Sequence, residues 1–252
     1  MAGYTYNARD EALVAWNASF TSRIGAGGGD PEEEYLELVK LLATCQAGGR
    51  LLDIGCGLGR IIGLVGERCR TIVGLEPDAT RFQACHAAWH DGHRTHILRT
   101  TSTDYRGRHP HAAFDLVVVS MVIQHVATTT CDRILADVGE LLAPDGLGVI
   151  ATTQQEVERF TFQGDQTNRS VAAFDRYADS SDAQRWGIPV RQFSRDSFLD
   201  AVRRAGLEVV RWGQFSYLRP AKVSWFAAWM GSTPDAIRDV GTSQYAVVRR
   251  PG

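Results

Sequence analysis

A glycine-rich segment directly after an apolar run carries the strongest chemical signal in this sequence. It reads Leu51-Leu52-Asp53-Ile54-Gly55-Cys56-Gly57-Leu58-Gly59-Arg60. Because glycine has no Cβ and adopts positive φ readily, the spacing Gly-x-Gly-x-Gly lets the backbone turn tightly and approach a ligand closely. We predict that Asp53 lies at the end of a strand and that the turn after it binds a ligand, since open α/β sheets bind ligands at the carboxyl ends of their strands.

Two classes of ligand use such a turn, the dinucleotides and S-adenosylmethionine. A dinucleotide fingerprint has the spacing Gly-x-Gly-x-x-Gly, and its third glycine would fall where this chain has Arg60. Asp53 would also repel a pyrophosphate, whereas the ammonium and sulfonium groups of S-adenosylmethionine are attracted by a nearby carboxylate. S-adenosylmethionine is therefore the expected cofactor, and a nicotinamide-dependent oxidoreductase is the less favoured alternative.

A second acidic residue follows the next apolar run. Glu76, in Gly74-Leu75-Glu76-Pro77-Asp78, is predicted to end the second strand. A carboxylate in that position can accept hydrogen bonds from both hydroxyl groups of a ribose. Each charge-assisted bond of this kind contributes roughly 1.5–3 kcal/mol. The glycine turn and Glu76, in this order and at this separation, favour a nucleoside site.

The elements that must position these residues alternate in type from residue 50 onward. Nearly continuous apolar runs are typical of strands that are buried on both faces, as parallel sheets require. Strands are predicted at 51–54, 71–75, 96–100, 114–120, 147–152, 207–212 and 245–248, and helices at 60–68, 79–90 and from the N-cap Ser194 through Ala205. The alternation predicts a doubly wound α/β sheet of seven strands, mostly parallel, with the last strand antiparallel.

Three segments outside this alternation are predicted to be additions to the fold. Residues 1–47 are expected to form an N-terminal helical lid, in which Asp30 caps a helix that begins at Pro31 and reaches about Thr44. Residues 48–252 would then form the cofactor-binding domain, with cap insertions at 154–192 and 213–241. Aromatic residues of these additions are tentative contacts for the acceptor, with core packing as the alternative for the tryptophans of the second cap: Tyr4, Tyr6, Trp16, Trp225 and Trp229.

Residues 50–152 resemble the class I, Rossmann-like S-adenosylmethionine-dependent methyltransferases that act on small molecules. The matching segments are Leu51–Gly59 (first motif), Leu75–Asp78 (acidic loop), Thr103-Asp104 (adenine side), Phe114–Val117 (fourth strand) and Leu141–Gly146 (the turn before the fifth strand). The resemblance covers about two-fifths of the chain. It is specific to the superfamily and implies no particular substrate.

The resemblance implies a role for individual residues around the turn. Asp104 would accept a hydrogen bond from the adenine amino group with Thr103 beside it, and Ser120 and Met121 would line the methionine side. The expected cofactor-binding residues are Asp53, Gly55, Cys56, Gly57, Gly59, Glu76, Pro77, Thr103, Asp104, Ser120 and Met121. One departure from the family pattern is that the first-motif helix begins Arg60-Ile61-Ile62, so that an apolar face and not a further glycine would meet the sheet.

His125 is the candidate general base. It directly follows the fourth predicted strand, at the edge of the sheet where transfer would occur, and an unperturbed imidazole pKa near 6.5 suits proton transfer. A base is useful only if the acceptor must lose a proton, as a hydroxyl does and a carboxylate does not. The equal alternative is that His125 orders the loop or packs under the cofactor.

The expected reaction is methyl transfer to an apolar or aromatic small molecule of a biosynthetic pathway, with S-adenosylhomocysteine as the product. O-methylation is favoured over N- or C-methylation, because the additional segments are rich in aromatic rings and poor in basic patches. The alternatives are a peptide methyltransferase and a protein that binds S-adenosylmethionine for other chemistry.

Composition argues against several partners and sites. A net charge of −2 with interspersed acids and bases disfavours nucleic acid as a substrate. The five cysteines include no Cys-x-x-Cys pair, and the group His86, His90, His93 and His96 is expected to be exposed at a helix end, so no metal is predicted. No apolar run approaches the roughly 18 residues that span a bilayer, and no leader pattern is recognised, so we expect a cytoplasmic protein without membrane association.

Overall fold

The computed structural model describes residues 33–46, 48–162, 165–168, 170–180, 189–216 and 242–252. The helices of these residues are α1 (Glu33–Cys45), α2 (Arg60–Val65), α3 (Ala79–Trp89), α4 (Ser102–Arg108), α5 (Thr128–Leu141), α6 (Val171–Ala178) and α7 (Arg195–Arg204), with short 3-10 helices at Gly66–Arg68 and Ile123–His125. None of them combines the length and the apolar character that crossing a membrane requires.

The strands of the main sheet are β1 (Arg50–Ile54), β2 (Thr71–Leu75), β3 (Thr95–Leu98), β4 (Phe114–Ser120), β5 (Leu142–Thr153), β9 (Glu208–Ser216) and β10 (Thr242–Arg249), and those of a small sheet are β6 (Arg159–Phe162), β7 (Asp165–Asn168) and β8 (Val190–Gln192). In the described residues the main sheet has the order β3-β2-β1-β4-β5-β10-β9. Strands β1 to β5 pair in parallel, and β10 lies antiparallel to both β5 and β9. The predicted seven-stranded sheet with an antiparallel last strand is confirmed.

Successive residues of the central strands point to opposite faces of the main sheet, and side chains on both faces are buried. Leu52 and Val117 belong to one apolar cluster, which includes residues of α5 and α7. Leu51 and Leu116 belong to the other, which includes residues of α1 and α2. Each fully buried side chain of this size stabilises the fold by roughly 1.5–3 kcal/mol. Helices therefore cover both faces, as the doubly wound prediction requires.

Some boundaries differ from the sequence-based expectation for local reasons. Strand β3 ends at Leu98 and not at Thr100, because Thr101 caps α4 by accepting a hydrogen bond from the Asp104 N–H. Strand β5 begins at Leu142, where it already pairs with Phe114. The predicted helix 60–68 is α-helical only to Val65 and continues as a 3-10 turn.

The small sheet, with the order β7-β6-β8, lies within the segment that was expected to form the first cap insertion. A bridge between Gln154 and Phe193 links this region to the main sheet. Asp175 of α6 accepts hydrogen bonds from the backbone N–H and the hydroxyl of Thr128, at 2.8 and 2.9 Å. The small sheet and α6 are thereby tied to the start of α5, close to the carboxyl end of β4.

Candidate functional site

The turn after β1 is built from glycines in the left-handed region. Gly55, Gly57 and Gly59 have φ values of 72°, 58° and 88°. A Cβ on Gly55 would lie 2.5 Å from Val122 Cγ2, and one on Gly59 would lie 2.3 Å from the Trp89 ring. Both the backbone conformation and the available space therefore require glycine at these two positions.

Trp89, at the end of α3, closes over this turn and was not recognised from the sequence. Its indole Nε1 donates a hydrogen bond to the Leu58 carbonyl oxygen at 3.0 Å. Its six-membered ring lies where a Cβ on Gly63 would come within 2.7 Å. The signal in the sequence is the pair Gly59 and Gly63, four residues apart at the start of α2, because small residues on one helix face leave room for a bulky neighbour.

Glu76 connects the ends of β1 and β2. Its Oε2 accepts a hydrogen bond from the Gly57 N–H at 2.9 Å, and its Oε1 accepts one from the Asp78 N–H at 2.9 Å. Burial raises the pKa of the Glu76 carboxyl, and these two donors and the charge of Arg81 act in the opposite direction. Each carboxylate oxygen can accept a further hydrogen bond, so Glu76 can serve a pair of hydroxyl groups.

Asp53 is the second buried carboxyl group at this edge. Only 2% of it is exposed, and its Oδ2 has no hydrogen-bond partner among the described residues. Burial raises the pKa of Asp53 to about 7, an effect that the positive charge of Arg60 reduces and the neighbouring Glu76 increases. A buried carboxylate oxygen without a hydrogen-bond partner is costly, so this site favours a cationic group beside Asp53.

Ser120 and Met121 lie where β4 ends. Arg60, the first residue of α2, reaches across to Ser120, with 3.2 Å between its Nη2 and the Ser120 Oγ. Met121 has a φ of 59°, although it is not glycine, and its N–H donates to the Ala151 carbonyl oxygen at 2.9 Å. Such backbone is uncommon for a residue other than glycine and concentrates at functional sites.

Cys56 and Pro77 flank the turn in different ways. The Cys56 Sγ lies 3.7 Å from the Cys85 Sγ on α3, and this contact, followed by burial, raises the pKa of the Cys56 thiol. The Cys56 backbone N–H donates to the Leu75 carbonyl oxygen, and its own carbonyl accepts from Gly59. Cys56 therefore holds the turn through its backbone, while Pro77 is partly exposed next to Glu76.

The predicted adenine side, Thr103 and Asp104, lies on the first turn of α4. The Thr103 hydroxyl donates to Asp137 Oδ2 of α5 at 2.7 Å, and the Ser102 hydroxyl donates to the same oxygen at 2.7 Å. Arg106 Nε lies 3.1 Å from the other oxygen of Asp137. The Thr103 hydroxyl thus binds α5. Asp104, the next residue of α4, is half-buried.

His125 follows β4, as predicted, and is held on both ring nitrogens. Its Nδ1 lies 2.8 Å from the Pro189 carbonyl oxygen, which can only accept, so Nδ1 carries the proton. Its Nε2 faces the Gln124 Nε2 at 3.2 Å, and Gln124 Oε1 accepts from the Thr152 hydroxyl at 3.2 Å. Burial lowers the pKa of His125 to about 4, with Arg81 acting in the same direction and the Pro189 contact in the opposite one.

The remaining predicted residues fall into two groups. His86 and His90 stack at 4.1 Å, and His90 Nδ1 accepts a hydrogen bond from the Ile97 N–H. Within the described part of the chain, no group of His, Cys, Asp and Glu side chains is arranged to hold a metal ion. The tentative acceptor contacts lie outside the described residues: Tyr4, Tyr6, Trp16, Trp225 and Trp229.

Comparison with known proteins identifies relatives for most of this chain. Residues 30–211 match the family model described as a methyltransferase domain. A segment of 117 residues is 30% identical to a ubiquinone biosynthesis O-methyltransferase of Bradyrhizobium sp. (strain ORS 278), covering 46% of this chain and 45% of that protein. The chain therefore spans about half the length of the curated relatives it matches.

Solved structures show the same fold at low sequence identity. An S-adenosylmethionine-dependent methyltransferase from Mesorhizobium loti superposes with a TM-score of 0.58 at 18% identity, covering 88% of this chain and 99% of that one. The N-methyltransferase NodS from Bradyrhizobium japonicum, solved with S-adenosyl-L-homocysteine, superposes with a TM-score of 0.57 at 14% identity, covering 93% of this chain and 98% of that one. At such identities the similarity is one of fold alone.

Proposed function

The chain belongs to the methyltransferase-domain family, and we propose that it binds S-adenosylmethionine at the glycine turn and transfers the methyl group to a small-molecule acceptor. The observation that carries this proposal is the pair of buried carboxyl groups, Asp53 and Glu76, on either side of the turn. One of them has an oxygen without a described partner, and the other presents both oxygens beside a tight backbone turn. This arrangement suits a ligand that has a ribose at one end and an ammonium group at the other.

The strand order determines how such a ligand would lie. Because β2, β1 and β4 are neighbours, Glu76, the glycine turn and Ser120 follow one another along the carboxyl edge. The ribose hydroxyls would bind Glu76, the backbone of Gly55–Gly59 would approach the ligand, and the methionine end would lie between Asp53 and Met121. Asp104, after β3, is proposed for the adenine amino group. When bound there, S-adenosylmethionine supplies a methyl group that its sulfonium activates for transfer.

The residues of this chain contribute mainly by holding the reactants in line. Proximity and orientation alone can lower the barrier of such a reaction by roughly 7–11 kcal/mol. Asp53 and Glu76 fix one reactant from two sides, and the strained backbone at Met121 shapes the wall next to the reacting centre. The small sheet and α6, tied to the start of α5, are proposed to cover the acceptor.

His125 has two possible roles in this scheme. A hydroxyl acceptor could transfer its proton to His125 Nε2, which is unprotonated because Nδ1–H is bound to Pro189. That nitrogen now faces the Gln124 amide at 3.2 Å, so the hydroxyl would have to replace this amide. If His125 only orders the loop or packs under the cofactor, the Gln124 amide can stay in place. We retain O-methylation as the favoured reaction, which the names of the curated relatives support.

Calorimetric titration with S-adenosylhomocysteine tests the cofactor proposal directly. We expect binding by the wild-type protein and a loss of roughly 10- to 100-fold in affinity for Glu76→Gln, because the charge-assisted bonds to the ribose are weakened. Glu208→Gln, which changes an exposed carboxylate paired with Arg249, is the matched control. Absence of measurable heat with folded wild-type protein would refute the proposal.

The acceptor is tested by turnover. Release of S-adenosylhomocysteine is measured with small phenols, catechols, amines and short peptides as candidate acceptors. Turnover with a phenol or catechol supports O-methylation. Turnover with amines or peptides alone would show that O-methylation is the wrong assignment.

A further inference from the structure

Two buried cysteine side chains meet beside the glycine turn, and the proposed function uses neither of their sulfur atoms. Cys56 belongs to the turn and Cys85 to α3, and their Sγ atoms lie 3.7 Å apart although 29 positions separate the two residues in the chain. Cys85 is fully buried, whereas 6% of Cys56 is exposed. A small reagent would therefore reach Cys56 first and would find the Cys85 thiol next to it.

Glycines leave the space that the two sulfur atoms occupy. A Cβ on Gly74 of β2 would lie 3.0 Å from the Cys56 Sγ, and one on Gly59 would lie 3.2 Å from the Cys85 Sγ. The sulfur atoms of a disulfide are only about 2.05 Å apart. Cys56 must therefore move toward α3, or Cys85 toward the turn, before a bond between them can form.

A movement of Cys56 would act on the part of the turn that the proposed ligand approaches. The Cys56 N–H donates to the Leu75 carbonyl oxygen, and the Cys56 carbonyl oxygen accepts from the Gly59 N–H. The next residue, Gly57, donates its N–H to Glu76 Oε2 at 2.9 Å. A shift toward α3 would strain these bonds and change the position of the turn relative to the Glu76 carboxylate.

We propose that Cys56 and Cys85 form an oxidative modification site, at which hydrogen peroxide produces a disulfide that lowers the affinity of the glycine turn for the cofactor. The Cys56 thiol loses its proton and its sulfur attacks one peroxide oxygen; the O–O bond breaks, and the hydroxide that leaves takes up the proton as water. The Cys85 thiol then attacks the resulting sulfenic acid, the S–S bond forms, and the second oxygen leaves as water with the Cys85 proton. One peroxide is thus reduced to two water molecules while both sulfur atoms are oxidised.

The surroundings of Cys56 determine how readily this reaction begins. The contact with Cys85, followed by burial and the charge of Asp53, raises the pKa of the Cys56 thiol. Because the thiolate is the reactive form, the pair stays reduced during brief exposure to peroxide and reacts during sustained exposure, faster as the pH rises. The loss of cofactor affinity rests on the proposed function, whereas the formation of the disulfide does not.

Peptide mapping and calorimetry test the two parts separately. The parent protein is Cys45→Ser, which removes an exposed cysteine that could link two molecules. It is incubated with hydrogen peroxide at pH 8, the remaining thiols are alkylated, and the peptide that joins Cys56 to Cys85 is quantified by mass spectrometry. Protein that carries this disulfide as its only modification should bind S-adenosylhomocysteine at least about 5-fold more weakly, because hydrogen bonds of the turn are strained, and dithiothreitol should restore the affinity.

Two further substitutions in the parent protein serve as controls. Cys85→Ala should bind S-adenosylhomocysteine as the parent does before oxidation and should give no cross-linked peptide. Cys131→Ala changes another buried cysteine, which belongs to the apolar cluster on the opposite face of the sheet. It should form the disulfide and lose affinity as the parent does.

The outcomes separate this inference from the proposed function. If peroxide leaves Cys56 and Cys85 unjoined in the folded parent protein, the inference is wrong. It is also wrong if the disulfide forms and the affinity falls by less than the expected factor or rises. If the reduced parent protein does not bind S-adenosylhomocysteine, the proposed function and the predicted loss of affinity fail together, while peptide mapping still decides whether the pair is a site of oxidation.

Discussion

The indole Nε1 of Trp89 donates a hydrogen bond to the carbonyl oxygen of Leu58, at 3.0 Å, and so connects the end of α3 to the middle of the glycine turn. The same ring fills the space that Gly59 and Gly63 leave open. Three of the five residues of the turn are glycines, which have no side chains with which to fix its position. Its position is therefore held from outside, by a residue that lies 31 positions further along the chain.

Trp89→Phe should weaken binding of S-adenosylhomocysteine by about 3- to 10-fold and lower the free energy of unfolding by at least about 1 kcal/mol, because the hydrogen bond to the turn is lost and a phenyl ring fills only part of the space beside Gly59 and Gly63. Calorimetry and urea denaturation measure the two effects. Trp212→Phe is the matched control, since Trp212 donates a comparable bond to Gln244 Oε1 at 3.1 Å away from the turn. Equal affinity losses in both variants would mean that Trp89 has no specific part in holding the site.

Asp53→Asn should stabilise the unliganded protein at pH 8 and weaken its binding of the cofactor. Because burial raises the pKa of Asp53 from 3.8 to about 7, the ionised carboxyl lowers stability as the pH rises through this interval, by up to about 4 kcal/mol above pH 7. The variant lacks this loss but also lacks the charge that attracts the ammonium group. Urea denaturation of both proteins at pH 4.5 and pH 8 measures the difference. If wild type and Asp53→Asn differ in free energy of unfolding by the same amount at both pH values, Asp53 does not ionise at a buried site with a raised pKa.

The His125 imidazole should remain uncharged at pH values near 7. Its pKa is lowered from 6.5 to about 4, so the unfolded state binds a proton that the folded state does not, and stability that is present above pH 6.5 is lost as the pH falls toward 4. The loss for wild type is at most about 3 kcal/mol, and His125→Ala should not show it. Unfolding free energies at pH 5 and pH 7.5 test this. If wild-type activity falls near pH 6.5, and the activity of His125→Ala does not depend on pH in that range, then His125 has an ordinary pKa and this prediction is wrong.

Thr103→Val should reduce stability by about 1 kcal/mol and change the affinity for S-adenosylhomocysteine by less than about 2-fold, because the Thr103 hydroxyl binds Asp137 of α5. Asp137→Ala should cost about 3–5 kcal/mol, since Asp137 is buried and its loss leaves several donors without an acceptor. Denaturation and calorimetry on both variants provide the test. A large affinity loss in Thr103→Val with unchanged stability would restore the direct adenine-side role that the resemblance implied.

The core of the candidate site was predictable because its determinants are local. Positive φ at Gly55, Gly57 and Gly59 follows from the residue type and the turn between two predicted elements, and the places of Asp53 and Glu76 follow from where apolar runs end. Parallel strands align their carboxyl ends at one edge, so residues far apart in sequence could be expected to meet there. The small sheet was not predictable, because its strands pair across a segment without clear periodicity.

By itself, the sequence determined the seven-stranded α/β fold, the glycine turn and the two acidic residues beside it, since each depends on residue type, hydrophobic periodicity and short spacing. Only the tertiary structure decided which partner each polar group has: Trp89 on Leu58, Arg60 on Ser120, and His125 on Pro189, 64 residues away. The physical reason is that these hydrogen bonds depend on how whole helices and strands pack together, and no local pattern in the chain records that packing.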